Sequence, residues 1–236
     1  MTSSSPVFCA IDRPDLDGAL ALGRSLAGVV GGLKIGLEFV TANGPAGVRR
    51  MVDLGLPVFL DVKFHDIPNT VAGAVRQAAG LGVAMLTLHV SGGPAMLRAA
   101  LDAAREAEFC PQLLGVTVLT SIDDADLSAL GLSDKVADHV LRLGEIAWNA
   151  GLDGLVCGPQ EITLLRERFE DKVKIVVPGI RPAGSPRSDQ KRTLSPAEAI
   201  ARGADVLVIG RPITAAPDPR AAAMAVAAEI DAALVA

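Results

Sequence analysis

Short apolar runs, rich in valine, isoleucine and leucine, alternate with longer alanine-rich segments from one end of the chain to the other. This alternation is typical of βα units, in which each strand of a parallel sheet is followed by a helix. The pattern repeats eight times. We predict strands at residues 7–11, 33–35, 58–62, 85–90, 113–119, 154–157, 174–177 and 206–209.

The longer segments between these runs are predicted to be helices. Many of them begin after Asp, Ser, Asn or Pro, which can accept the unpaired amides of a first helical turn or preset its backbone angle. Gly82, Gly151 and Gly203 suit the chain reversals at the other ends. The predicted helices include residues 15–26, 69–81, 95–107, 133–150, 160–169, 195–202 and 220–234.

Eight repeats without an intervening linker indicate an α/β fold, a single (β/α)8 TIM barrel that spans residues 1–236 as one catalytic domain. The competing architecture is an open, doubly wound sheet, which usually carries a glycine-rich dinucleotide turn after its first strand. Here the first strand is followed by Asp12, Arg13 and Pro14, which do not form such a turn. The barrel is therefore favoured, and catalytic groups are expected where its strands end.

Composition and charge narrow the function classes. The net charge of −5 argues against a nucleic-acid-binding protein, which needs a concentrated basic face. Aromatic residues make up only 3% of the chain, so the core must be built from aliphatic side chains and alanine. Cys9, Cys110 and Cys157 are far apart and lack the C-x-x-C spacing, so we predict that they are reduced packing residues.

The amino-terminal residues 1–6 lack the basic segment and apolar stretch of a secretory signal. No apolar run approaches the roughly 20 residues of a membrane helix. We therefore expect a cytoplasmic protein that does not enter a membrane.

The strongest functional signal is a cluster of charges at the end of the third predicted strand. Side chains two residues apart on a strand share a face, so Asp61 and Lys63 should project together, and Asp66 should lie in the following loop. Asp12 ends the first strand and Lys34 lies in the second, so neighbouring strands should bring four charges to one rim. The alternative is a set of ordinary surface ion pairs, each worth about 0 to 1 kcal/mol.

A phosphate site is expected after the seventh and eighth strands, its usual place in this architecture. Arg181 and Arg211 supply guanidinium donors there, and Gly210 allows a phosphate to approach the main chain. The polar segment 182–194, with Gln190, is predicted to close over a ligand. Its alternative is a surface connection without a role.

Four motifs together resemble the orotidine 5′-phosphate decarboxylase family in its bacterial form, and the resemblance extends over nearly the whole chain. They are Asp-x-Lys-x-x-Asp-Ile-Pro-Asn-Thr at 61–70, Pro-Gly-Ile-Arg at 178–181, Asp-Gln-Lys-Arg at 189–192 and Val-Ile-Gly-Arg at 208–211. The resemblance implies a carboxy-lyase that converts orotidine 5′-phosphate to uridine 5′-phosphate in pyrimidine biosynthesis, without a cofactor or a metal. It also implies a homodimer with shared active sites.

The resemblance assigns a role to each matching residue. Lys34, Asp61, Lys63 and Asp66 would form the catalytic charge array, with Asp66 reaching into the partner subunit's site. Asp12 and Lys34 would bind the ribose, Thr70 the partner's nucleotide, and Thr120 the pyrimidine. Arg181, Gln190, Gly210 and Arg211 match the phosphate and lid positions. We expect Lys63 to stabilise the carbanion and then to protonate it.

Two other functions remain open at this stage. Sugar-phosphate enzymes that share Asp-x-Lys-x-x-Asp typically bind magnesium through a carboxylate on the second strand, where this chain has the cationic Lys34. A non-catalytic nucleotide-binding barrel is the second alternative. His65 has the opposite strand parity to Lys63 and is interpreted as structural, as are His89 and His139.

Overall fold

Eight parallel strands form a closed barrel in the computed structural model, which describes residues 5–182 and 194–235. Each strand pairs with the next along the chain, and the first pairs with the last, so the described sheet has no open edge. The predicted (β/α)8 architecture is confirmed. The strands are β1 Val7–Ala10, β2 Gly32–Gly36, β3 Val58–Phe64, β4 Met85–His89, β5 Gln112–Val116, β6 Gly154–Val156, β7 Lys174–Pro178 and β8 Val206–Ile209.

Helices follow the strands and cover the outside of the barrel. They are α1 Leu16–Leu26, α2 Leu37–Val52, α3 Pro68–Ala79, α4 Gly93–Arg105, α5 Asp124–Ala129, α6 Val136–Ala150, α7 Ile162–Phe169, α8 Pro196–Ala201, α9 Arg211–Thr214 and α10 Pro219–Val235. Short 3-10 turns occupy Val90–Gly92 and Glu170–Lys172. No helix in the described part of the chain combines the length and apolarity needed to cross a membrane.

Helix α2 was absent from the predicted helices because its sequence contains Gly44 and Pro45. Gly44 has a φ of 60° and a ψ of −167°, so the helix is kinked there. Proline removes a backbone donor and clashes with the preceding turn, which explains why a pattern-based prediction fails at this position.

Strand alternation divides the apolar residues into two cores. One set points into the barrel and packs on itself, with Phe8 and Phe59 in edge-to-face contact at 6.4 Å between ring centroids. The opposite faces of the same strands carry residues such as Cys9, Leu33 and Leu60, which pack beneath the helices. Because Phe59 points inward, Asp61 two residues later is directed toward the mouth of the barrel.

Two turns at the amino-terminal end of the barrel are built alike. Gly151 and Gly203 adopt φ values of 94° and 102°, and each is followed two residues later by an aspartate. Asp153 accepts the N–H of Leu113 at 2.8 Å, and Asp205 accepts the N–H of Ile175 at 2.6 Å. These carboxylates satisfy amides of neighbouring strands at the end of the barrel opposite the charged rim.

The structure partly corrects the prediction for the cysteines. All three thiols are free, and Cys9 and Cys157 are buried, as expected for packing residues. Burial raises the pKa of Cys9 to about 12 and raises the pKa of Cys157 still further, so both stay protonated. Cys110 is exposed, and the prediction that it packs in the core was wrong. It lies in the turn before β5 rather than in the strand itself.

Replacing Gly151 by alanine should lower the free energy of unfolding by about 1 to 2 kcal/mol, because the residue caps α6 in the left-handed region. An added Cβ would contact only Leu101, at 3.9 Å, so the cost is in the backbone and not in packing. Gly151→Asn is the matched control, since asparagine tolerates this conformation better than alanine. Urea denaturation should rank wild type above Gly151→Asn and Gly151→Asn above Gly151→Ala; equal midpoints for the two variants would contradict the explanation.

Candidate active site

Four charged side chains alternate in sign along the rim where β1, β2 and β3 end. The Lys34 amine lies 2.9 Å from Asp12 Oδ1 and 3.9 Å from Asp61 Oδ2, and the Lys63 amine lies 2.8 Å from Asp61 Oδ1. The side chains of Lys34, Asp61 and Lys63 are only 10%, 17% and 28% exposed. The network is therefore partly desolvated and connected, unlike an isolated surface ion pair.

The backbone at Lys63 departs from a regular strand. Lys63 has a φ of 52°, in the left-handed region that residues with a side chain rarely adopt. Its N–H donates to Thr87 Oγ1 at 2.9 Å, and the Thr87 hydroxyl donates to Asp61 Oδ1 at 3.0 Å. The expected meeting of Lys63 and Asp61 is observed, but with a backbone that simple alternation does not describe.

Thr87 is a site residue that the sequence analysis missed. It lies in the middle of β4 and is fully buried, in a run that is otherwise apolar up to His89. Its position has the same parity as Met85, which points into the barrel. The one available signal was a hydroxyl at an inward-facing position of an apolar strand.

An apolar cavity of about 260 Å³ lies beside Lys63 and Asp61. Phe59, Val116, Val156 and Val208 contribute apolar walls, and Thr120 and Ser121 add hydroxyl groups to the lining. A flat, mostly apolar ring with a few polar edges suits such a space.

A second cavity of about 260 Å³ adjoins the first, since Asp61, Pro178 and Val208 line both. Its lining is mainly polar, with Asp12 and Lys34 on one side. The other side is formed by the segments after β7 and β8, including Gly179, Arg181, Gly210 and Arg211. The two cavities together offer an apolar compartment and an ionic one, joined at Asp61.

The residues Arg181, Gly210 and Arg211, which were predicted to bind phosphate, all line the ionic cavity. Gly179 has a φ of 83°, which lets the chain turn between Pro178 and Arg181. The Arg181 N–H donates to the Leu194 carbonyl at 2.9 Å, so the two ends of the predicted lid are held together. Gln190 and the rest of residues 183–193 lie outside the described residues.

Asp66 and Thr70 are exposed, and neither is among the described residues that line the two cavities. Asp66 Oδ1 accepts the N–H of Ile67 at 2.6 Å, at the start of α3. Ile67 is 67% exposed, which is high for an isoleucine. Neither residue thus lines a cavity of its own chain, and their predicted action in the partner subunit's site stays a prediction.

The two histidines near the rim contact each other. The rings of His65 and His89 have centroids 5.4 Å apart, and His65 is exposed whereas His89 is half-buried. Burial lowers the pKa of His89 below its usual 6.5, and the charges of His65 and Lys63 lower it further against the opposing effect of Asp61.

The chain matches the family model described as Orotidine 5′-phosphate decarboxylase / HUMPS family over residues 5–226. It is 51% identical over 231 residues to the orotidine 5′-phosphate decarboxylase of Paramagnetospirillum magneticum, covering 96% of this chain and 98% of that protein. The Moorella thermoacetica protein of the same name is 50% identical over 237 residues, covering 98% of this chain and 94% of that protein. The crystal structure of orotidine 5′-phosphate decarboxylase from Lactobacillus acidophilus superimposes with a TM-score of 0.85 at 34% identity, covering 97% of this chain and 100% of that one.

The lowered pKa of His89 predicts a pH-dependent stability. Because the folded pKa lies below the unfolded value, the folded state binds protons less readily, and stability is lost as the pH falls below about 6.5. His89→Asn should therefore lose less unfolding free energy than wild type between about pH 8 and pH 5, measured by chemical denaturation. His65→Asn, which removes the neighbouring imidazole and leaves His89 in place, should give a smaller change of the same sign. Parallel pH profiles for wild type and His89→Asn would contradict this prediction.

Proposed function

The chain belongs to the orotidine 5′-phosphate decarboxylase / HUMPS family, and we propose that it converts orotidine 5′-phosphate to uridine 5′-phosphate and carbon dioxide by the charged rim described above. It is a carboxy-lyase of pyrimidine biosynthesis. The observation that carries the assignment of residues is the Lys63 amine, 2.8 Å from Asp61 Oδ1 beside an apolar cavity. We propose that residues 1–236 act as one catalytic domain.

The apolar cavity receives the pyrimidine ring, with Thr120 at its polar edge. Loss of carbon dioxide leaves an electron pair on C6 that lies in the plane of the ring, where the ring's π system cannot accept it. The Lys63 ammonium stabilises this developing charge, and the apolar walls strengthen the attraction because they exclude water. Lys63 then donates a proton to C6, which completes uridine 5′-phosphate. One residue thus serves both steps, without a cofactor.

Asp61 holds the ammonium in place. Its Oδ1 contacts the Lys63 amine at 2.8 Å, and its Oδ2 faces the Lys34 amine at 3.9 Å. A carboxylate with cations on both sides is restrained in orientation and presents a fixed charge beside the substrate carboxylate. The repulsion between the two carboxylates is relieved as carbon dioxide leaves.

The ionic cavity receives the ribose and the phosphate. Asp12 and Lys34, paired at 2.9 Å, are placed to bind the ribose hydroxyls. Arg181, Arg211 and the main chain at Gly210 bind the phosphate. The family resemblance assigns Gln190, which is outside the described residues, to the same site. Binding energy from the remote phosphate helps to organise the site around the ring.

Lys34 distinguishes this activity from that of the sugar-phosphate enzymes that share the Asp-x-Lys-x-x-Asp motif. A magnesium ion needs oxygen ligands, and an ammonium 3.9 Å from Asp61 repels a divalent cation there. The curated relatives of about 50% identity are named orotidine 5′-phosphate decarboxylase, which favours the decarboxylase activity.

We further propose that the active unit is a homodimer in which Asp66 and Thr70 enter the partner's site. Their exposure on a single chain, next to the exposed Ile67, supports this arrangement. We place the enzyme in the cytoplasm, where pyrimidine nucleotides are made and where the exposed Cys110 thiol remains reduced.

Lys63→Ala should lower kcat by at least about 100-fold, because a preorganised donor to the transition state is lost, while uridine 5′-phosphate binding stays measurable. Lys172→Ala is the matched control, since this exposed lysine pairs with Glu170 at the opposite end of the barrel. The measurement is the loss of orotidine 5′-phosphate absorbance, with and without a chelator. Near-normal turnover by Lys63→Ala contradicts the assignment of Lys63, no turnover by wild type contradicts the activity, and chelator sensitivity favours a sugar-phosphate enzyme.

Shared sites predict complementation between inactive variants. Asp66→Ala and Lys63→Ala homodimers should both be nearly inactive, but a mixed dimer keeps one site with both residues. Random reassociation of equal amounts should restore about one quarter of the wild-type sites, because about half of the dimers are mixed. The matched control is a mixture of Asp61→Ala with Lys63→Ala, which leaves every site defective. Equal activity of the two mixtures would show that Asp66 serves its own chain.

A further inference from the structure

The buried hydroxyl of Thr87 has no place in the mechanism so far, although it touches both central catalytic residues. Its side chain is fully buried at an inward-facing position of β4. A buried hydroxyl is costly unless it is hydrogen-bonded. Here it accepts from the Lys63 N–H at 2.9 Å and donates to Asp61 Oδ1 at 3.0 Å.

Thr87 lies opposite a break in the sheet. Leu60 pairs with Leu86 and Phe64 pairs with Leu88, so residues 61–63 of β3 face the single residue Thr87 of β4. Such bulges interrupt the ladder of backbone hydrogen bonds and redirect side chains, often beside active sites. The Thr87 hydroxyl supplies the acceptor for the Lys63 N–H within this interruption.

Lys63 also carries backbone strain. It is one of two non-glycine residues with a positive φ in residues 5–182 and 194–235, the other being Glu170. Left-handed backbone at a residue with a side chain persists only where its surroundings hold it. The hydrogen bond from the Lys63 N–H to Thr87 is a specific contact that holds it.

We propose that Thr87 is a positioning residue for the decarboxylation, an inference that rests on the proposed role of Lys63. One hydroxyl holds the left-handed backbone of Lys63 and the Oδ1 atom of Asp61 at the same time. That Oδ1 atom also contacts the Lys63 amine at 2.8 Å. Thr87, on the neighbouring strand, thus hydrogen-bonds both to the main chain of Lys63 and to the Asp61 carboxylate that contacts the Lys63 amine.

The variants Thr87→Val and Thr87→Ser separate this role from packing. Valine keeps nearly the same shape but removes both hydrogen bonds, whereas serine keeps the hydroxyl. Thr87→Val should lower kcat about 10- to 100-fold, as expected for a small displacement of a reacting group, with a much smaller change in KM. Thr87→Ser should recover most of the wild-type kcat. Uridine 5′-phosphate affinity, measured by calorimetry, should change little in either variant.

Thr117→Val is the matched control. Thr117 is 4% exposed, and its hydroxyl donates to the Val156 carbonyl at 2.8 Å rather than to Lys63 or Asp61. Its loss tests the general effect of removing a buried threonine hydroxyl. Thermal melting checks that each variant is folded; should Thr87→Val not fold, Thr87→Cys, which retains only a weak hydrogen-bonding group, replaces it with the same expectation.

The outcomes distinguish this proposal from the proposed function. A selective loss of kcat in Thr87→Val, with recovery in Thr87→Ser, supports the positioning role. Equal losses in Thr87→Val and Thr117→Val, or wild-type kcat in Thr87→Val, overturn it and leave the decarboxylase assignment intact. Failure of wild type and Thr117→Val alike to consume orotidine 5′-phosphate overturns the proposed function itself.

Discussion

The charged rim is arranged around one constraint, which is that the Lys63 ammonium must be kept beside an apolar cavity. A charge that leaves water loses its hydration, and only close opposite charges and hydrogen bonds offset that loss. At this rim, positive and negative side chains alternate, and their attraction offsets the lost hydration. Asp12, Lys34, Asp61 and Lys63 follow one another at ion-pair distances of 2.9, 3.9 and 2.8 Å. Each inner member has two neighbours of opposite sign. Removing one therefore leaves its partners uncompensated, so the array behaves as a unit rather than as separate ion pairs.

The barrel makes this arrangement possible because contacts that stabilise the fold lie at the end opposite the charged rim. The amino-terminal end is tied by Asp153 and Asp205, whose carboxylates satisfy amides of adjacent strands. Below the rim, inward-facing aliphatic and phenylalanine side chains fill the interior and form the walls of the apolar cavity. The closed sheet in turn provides a rigid frame against which the bulge at residues 61–63 can be held. Strain at Lys63 is tolerated because the rest of the barrel is regular.

Much of the fold was predictable because parallel strands leave a strong local signal. Strand parity also predicted the contact between Lys63 and Asp61, although the left-handed backbone at Lys63 has no sequence signature. Helix α2 was missed because Gly44 and Pro45 interrupt its pattern, and the prediction for Cys110 was wrong because the spacing of the cysteines carries no information about their exposure. Thr87 gave almost no signal, since its importance comes from a partner 24 residues away.

The residue type at position 34 influences which chemistry the rim of the barrel can perform. In this chain, the motif Asp-x-Lys-x-x-Asp places Asp61 and Lys63 near the end of β3, 2.8 Å apart. A carboxylate on the neighbouring strand would add negative charge and invite a divalent cation, which polarises oxygen atoms of a substrate. A lysine in that place, 2.9 Å from Asp12, instead balances the carboxylates internally. In the proposed mechanism, the remaining ammonium, Lys63, faces the substrate, stabilises the carbanion and then protonates it, which a metal ion cannot do alone.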